Sequence, residues 1–377
     1  MIAQIEDAVV RAFTSRFGGR PRVFGAPGRI NIIGEHTDYS EGLVMPAAID
    51  RFCLVAVAKN GSDTIRALAL GRQEETEIAP GFVRSGSWVD YVSGVRQSLR
   101  DAGIEVPGCD LVIHGNVPEG AGVSSSAALE VSTMLAMLAC SGVNASPVEI
   151  ALWAQSAETK YVGMPCGVMD QFISANGVAG HALALDCRSL TYQRAPVHPN
   201  VAFLLVDSTV RHRLVDGGYA ARRADCETAA QILGLRVLRD ASYAMLDNSN
   251  LSERQMRRAR HVVSENERVA LAAQAFATGD LPKVGRLMND SHASLRDDFD
   301  VTCRETDILA DIARQTSGVY GARQMGGGFG GAVLAVLDAD SVATASRTIR
   351  DAYRAQTGIL GESLVCRIAD GAREITS

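Results

Sequence analysis

The chain has 377 residues, more than one hydrophobic core ordinarily organises, so two domains are the expectation. Hydrophobic residues at 47% against 21% charged exclude long disorder, and a net charge of -6 argues against a nucleic-acid or anionic-membrane partner. Lysine occurs only at Lys59, Lys160 and Lys283, so chemistry that needs a lysine to grip an anion has few candidates.

From the N-terminus, residues 1–13 carry Glu6, Asp7 and Arg11 in an amphipathic run, unlike a secretory signal. Residues 44–49 and 53–58 read as strands flanking a charged loop too polar for a core. Residues 111–114 form another short strand, followed by a Gly- and Pro-rich loop over 115–122. A serine cluster then opens a buried helix over 124–140, and a further helix lies within 144–160 with Ser146 as N-cap and Pro147 at its first position. After residue 190 a β-rich run covers 201–206. Two helices start at the capping patterns Ser252-x-x-Gln255 and Thr302-x-x-Glu305, with residues 281–295 helical between them. A glycine loop at 326–331 leads into a strand over 332–337. The elements predict an α+β fold of mixed sheets and helices in two lobes, 1–187 and 188–377. The eight cysteines are dispersed without metal-site spacing, and no apolar run approaches the ~20 residues of a membrane span, which together point to a reducing cytoplasm.

Three loops concentrate polar chemistry. In residues 26–39, Arg29, Glu35, His36 and Asp38 lie close together between apolar strands, and carboxylates bind the hydroxyls of a sugar strongly. The plainer reading is a solvated loop with incidental charges. In residues 115–130, small residues let the backbone approach a polyphosphate, and the following helix aims its free N–H groups at an anion. An ordinary loop with a serine cap is the alternative there, and no G-x-x-x-x-G-K-[ST] occurs in the chain. Residues 325–331 contain G-x-G-x-x-G before a strand near the C-terminus, the wrong context for a dinucleotide fingerprint, so a tight turn packed beneath the phosphate loop is expected.

These loops, in this order and spacing, resemble the GHMP kinases, and residues 28–39 resemble the galactokinase signature. Residues 166–174, 181–190 and 291–299 match further, so the resemblance spans nearly the whole chain. It implies an ATP-dependent sugar kinase of two lobes, with sugar and ATP meeting in the cleft between them and no protein partner. By that similarity Asp170 is the catalytic carboxylate with Arg29 beside it. Glu35, His36, Thr37, Asp38, Gly167 and Tyr219 line the sugar site. Gly120, Ala121, Gly122, Val123, Ser124, Ser125 and Ser126 wrap the ATP phosphates, and Ser126 and Glu158 hold Mg2+. Taken alone, Asp170 would read as a helix N-terminal residue, Glu158 as a solvated helix residue and Tyr219 as packing. The sequence departs from the family at Ser40, at Gln324-Met325 and at Asp90. A kinase for N-acetylgalactosamine or arabinose, or a sugar-sensing regulator, is the alternative. The intact run Ser124-Ser125-Ser126-Ala127 favours an enzyme.

Overall fold

The computed structural model describes residues 2–211 and 215–375. In chain order the elements are α1 (Ile2–Phe17), β1 (Arg22–Asn31), β2 (Leu43–Val44), β3 (Pro46–Lys59), β4 (Ile65–Ala69), β5 (Glu74–Ile78) and α2 (Val89–Asp101). Next come β6 (Cys109–Gly115), α3 (Ser125–Ser141), α4 (Pro147–Ser156), α5 (Met169–Asn176), β7 (His181–Asp186), β8 (Tyr192–Pro196) and β9 (Val201–Arg211). The remainder is α6 (Val215–Ile232), α7 (Tyr243–Asp247), α8 (Glu253–Thr278), α9 (Leu281–Asp297), α10 (Arg304–Gln315), β10 (Val319–Met325), β11 (Gly330–Asp338), α11 (Val342–Thr357), β12 (Glu362–Cys366) and β13 (Arg373–Ile375).

Two sheets carry the architecture. The first has the order β13-β1-β3-β6-β4-β5, with β4 and β6 parallel and the other pairs antiparallel. Helix α3 packs against it through Ala128, Val131 and Met134, which share one core with Val55, Leu111 and Phe172. The second sheet, β10-β11-β9-β12, is antiparallel throughout. Its strands alternate strictly between two cores, as a period of two requires. Phe203, Leu205, Leu334 and Val336 face Val284 and Met288 of α9, while Leu204, Val206, Val333 and Ala335 face Leu309, Ile349 and Tyr353 of α10 and α11. The first of these cores also takes in Ile30, Ile32, Met45 and Ala47 around the end of β1 and the start of β3. One continuous apolar layer therefore joins the lobes beneath the charged loop.

Several expectations shift. Residues 46–59 form one strand rather than two short runs, although Ile49, Asp50 and Arg51 take no β1 partner and Asp50 and Arg51 pair with each other at 2.9 Å. The charged loop between β1 and β3 is buried, not solvated: Glu35 is 4% exposed, His36 5% and Thr37 0%. Helix α4 starts as predicted, with Ser146 and Glu149 in a reciprocal capping box and Pro147 behind the cap. Helix α10 begins one residue later than the Thr302 pattern suggests, because the Cys303 N–H donates to Thr306 Oγ1 at 3.0 Å. Residue 187 falls in the connection between the paired strands β7 and β8, and β13 returns the end of the chain to the edge of the first sheet. Among the described residues no helix is long and apolar enough to cross a membrane.

Candidate active site

The β1–β3 register shifts beside Arg29, where the single residue Gly28 of β1 stands opposite Ile49, Asp50 and Arg51 of β3. Its guanidinium meets Asp170 as a fork, Nε to Oδ1 at 2.7 Å and Nη2 to Oδ2 at 2.7 Å. Nη1 donates to the Gly122 carbonyl, and the Arg29 N–H donates to the Val123 carbonyl at 3.0 Å. The phosphate loop is thereby tied to the arginine by backbone and side chain together. Asp170 is the second residue of α5, where the helix dipole favours an anion. Ser174 Oγ of the same helix donates to the Pro27 carbonyl at 2.7 Å, and Phe172 is fully buried, so α5 is locked to β1. The aspartate side chain keeps 26% of its exposure against 6% for the arginine. It is the member of the pair that faces open space.

Ser124, expected to wrap phosphate, also reaches Asp170. It sits in a left-handed backbone conformation (φ 58, ψ 55) and makes no side-chain cap to α3. Its hydroxyl donates to Asp170 Oδ2 at 2.5 Å instead. Helix α3 consequently begins with uncapped N–H groups, the arrangement that binds anions. These groups open on a cleft of about 1120 Å3 lined by Gly120, Ser125, Ser126, Trp88, Tyr91 and Leu129 among others. Ala121 and Val123 point into the core below, so this pair can offer the cleft only backbone groups.

The far wall of the pair is the buried loop. Glu35 is held by Arg323, whose Nη1 lies 2.8 Å from Oε2. Burial pushes the Glu35 carboxyl up, and the Arg323 and Arg29 charges oppose that shift. Among the described residues Asp38 makes no ion pair, and the Arg29 charge opposes its shift only in part. Burial first, and the neighbouring Asp170 charge second, raise it to about 7. A Cβ at Gly167 would stand 2.2 Å from Asp38 Oδ2, so only glycine allows this approach. His36 is lowered to about 3 by burial and by the His261 and Arg222 charges, and is neutral at ordinary pH. Its ring lies 5.3 Å from that of Tyr219 and 5.9 Å from that of Tyr39, with Nδ1 3.1 Å from the Tyr39 hydroxyl. Thr37 serves the loop itself: its hydroxyl reaches the Gly34 and Leu43 carbonyls.

Glu158 stands in a π-turn that extends α4 and is 7% exposed, which rules out the solvated-helix reading. Gln171 Nε2 bridges it to Glu130, at 2.5 Å and 2.9 Å, and Ser126 also helps to hold its charge. Burial, then the Asp170 charge, raise the Glu158 carboxyl, and no cation of the protein pairs with it among the described residues. Among those residues no group of three acidic, histidine or cysteine side chains converges. One buried carboxylate beside a hydroxyl suits a hard oxygen-seeking cation that takes its other positions from phosphate and water.

The sequence reading missed Arg323, Glu130, Gln171 and Glu265. Arg323 is fully buried and donates to the Ile32 carbonyl at 2.8 Å and to the Asn31 carbonyl at 2.5 Å. Its only signal was a charged residue inside an apolar strand. Asp297 pairs with Arg296 at 2.7 Å. A second cleft, of about 660 Å3, opens beside Arg51, Phe203 and Arg367, and none of the predicted site residues lines it.

Known proteins align with this geometry. The galactokinase galactose-binding signature matches residues 11–59, and the N-terminal and C-terminal domains of the GHMP kinases match 90–178 and 272–355. Galactokinase from Roseiflexus sp. is 41% identical over 96% of this chain and 95% of its own, and that from Chloroflexus aurantiacus is 42% identical over the same shares. The crystal structure of Lactococcus lactis galactokinase complexed with galactose superposes with a TM-score of 0.95 at 31% identity, covering 98% of this chain and all of that one. A mevalonate kinase, at 15% identity and TM-score 0.65, shares the fold. With a signature loop, both kinase domains and near-full-length relatives in agreement, the chain belongs to the galactokinase family of the GHMP kinases.

Proposed function

We propose that the protein transfers the γ-phosphate of ATP to the C1 hydroxyl of D-galactose, giving galactose 1-phosphate and ADP, in the cytoplasm. The observation that carries this reading is the Arg29–Asp170 fork, set between a buried loop of sugar-type acceptors and the uncapped start of α3. Phosphoryl transfer asks mainly for positioning and charge neutralisation, and both walls supply them. The galactose bound by the Lactococcus relative supports the choice of sugar.

In this mechanism Glu35, His36, Asp38 and the Gly167 backbone hold the sugar, with Tyr219 closing one side. A carboxylate offers about four acceptor positions. Arg29 takes one on each oxygen of Asp170, and Ser124 takes the second on Oδ2. The position left open is on Oδ1, where Asp170 takes the proton of the sugar hydroxyl as its oxygen attacks phosphorus. Arg29, buried behind that carboxylate, offsets charge on the transferring group. Gly120, Gly122, Ser125 and the N–H groups of α3 take the phosphates. Ser126 and Glu158 would hold Mg2+, which when bound offsets phosphate charge.

Incubation with ATP, Mg2+ and a panel of galactose, N-acetylgalactosamine, arabinose and glucose tests the substrate. Phosphorus NMR is expected to find a C1 phosphate on galactose with the others slow, and preferred turnover of another sugar would refute the assignment. Sugar affinity should depend on Asp38, which is raised to about 7. The ionised carboxylate is the stronger acceptor, so the galactose Kd should fall as pH rises from 6 to 8 in calorimetric titrations, and His36, neutral throughout, adds no opposing trend. A flat or rising Kd would contradict this role. Ser124→Ala removes a hydrogen bond to a charged group and should lower kcat ~10–100-fold while the KM for ATP moves less than ~3-fold. A raised KM for ATP at unchanged kcat would make Ser124 a phosphate ligand instead.

A further inference from the structure

The sugar-facing loop is buried, so every peptide group in it must find a partner inside the protein. Two such partners come from one face of α8, one turn apart. The Gly34 and Glu35 N–H groups both donate to Glu265 Oε1, at 2.9 Å and 3.2 Å. The Glu35 carbonyl accepts from His261 Nε2 at 3.0 Å. The peptide groups on either side of the Glu35 α-carbon are therefore gripped by residues four apart on a single helix. Gly34 holds φ 97 and packs against Val269 from the next turn of α8, which fixes the loop's height above the helix.

Glu265 is itself fully buried and immobilised. Ser291 Oγ of α9 donates to Oε1 at 2.7 Å, and Arg268 Nε donates to Oε2 at 2.7 Å. Farther along the loop, the Leu43 N–H donates to Asn266 Oδ1 at 2.7 Å, so the helix holds the loop at both ends. None of these α8 side chains is among the residues expected to meet sugar or nucleotide.

Resting on the reading of residues 35–38 as sugar ligands, we propose that Glu265, with His261, is a positioning residue for sugar recognition. It sets the Glu35 peptide so that the Glu35 and His36 side chains meet the sugar hydroxyls together. Losing this hold lets the loop relax and weakens sugar binding selectively, because the phosphate loop and α3 are anchored independently by Arg29 and α5.

The test uses the full-length protein and two variants, Glu265→Gln and Ser291→Ala, each checked for folding by circular dichroism. In Glu265→Gln, which weakens hydrogen bonds to a charged acceptor, the galactose KM and the calorimetric galactose Kd without ATP should rise ~10–100-fold, with the KM for ATP and kcat within ~3-fold. Ser291→Ala leaves the carboxylate in place and should raise the same two quantities less, by ~2–10-fold, and it decides the matter if Glu265→Gln fails to fold. Unchanged galactose affinity in a folded variant, or parallel losses toward galactose and ATP, would overturn the proposal. Failure of the sugar assignment itself is separable, because the unmodified protein would then not bind galactose at all.

Discussion

A guanidinium taken out of water must meet a counter-charge and spend its remaining donors, and Arg29 does both at the one place where the loops converge. Its side chain is 6% exposed, its fork lies on Asp170, 141 residues away, and its remaining Nη1 lies on the Gly122 carbonyl. Stranding that charge by removing the carboxylate would cost about 3–5 kcal/mol, the usual penalty for breaking a buried pair. The interaction therefore pins three distant segments: the bulged end of β1, the phosphate loop and the start of α5. Held by the same bonds, Asp170 keeps one acceptor position that neither Arg29 nor Ser124 takes.

The second constraint is the cost of burying a polar loop. Residues 34–37 stay inside the protein only because other elements satisfy them: Glu265 and His261 take the backbone, Arg323 takes the Glu35 carboxylate and Thr37 closes the loop on itself. Glu265 remains ionised, pushed down to about 2: burial opposes ionisation, but the Arg268 and Arg323 charges and the Ser291 hydroxyl outweigh it. His261 goes the other way, lowered to about 4 chiefly by burial, and donates from Nε2 as a neutral ring. Asp38 is half-buried and makes no ion pair among the described residues, and it is the place where a sugar hydroxyl would supply what the protein does not.

How much of this was legible follows from the distance over which each contact acts. The signature loop, the serine run and the glycine turn were readable because their residues are consecutive. The capping residues Ser146 and Ser252 were readable because a cap acts within three positions. Strand β3 was split in the reading because Asp50-Arg51 looks like a loop, whereas the strand runs on through them as an irregularity opposite Gly28. The loop within residues 26–39 was open to a solvated reading because its satisfying groups lie far along the chain, Glu265 some 230 positions and Arg323 some 290 positions away. A histidine and a glutamate four apart on the apolar face of α8 were the available signal. The bond from the Ser124 hydroxyl to Asp170 was not legible, because the left-handed backbone that aims it there leaves no trace in the sequence.

The account stands on Asp170 as the group that receives the proton, and Asp170→Asn tests this most directly. The substitution keeps the shape of the side chain and removes its basicity. Single-turnover phosphorylation of galactose should slow ~10²–10⁴-fold, the usual contribution of a general base, while calorimetry finds galactose and ATP still bound. Near-normal turnover in a folded Asp170→Asn protein would contradict the assignment and move the chemistry to another group.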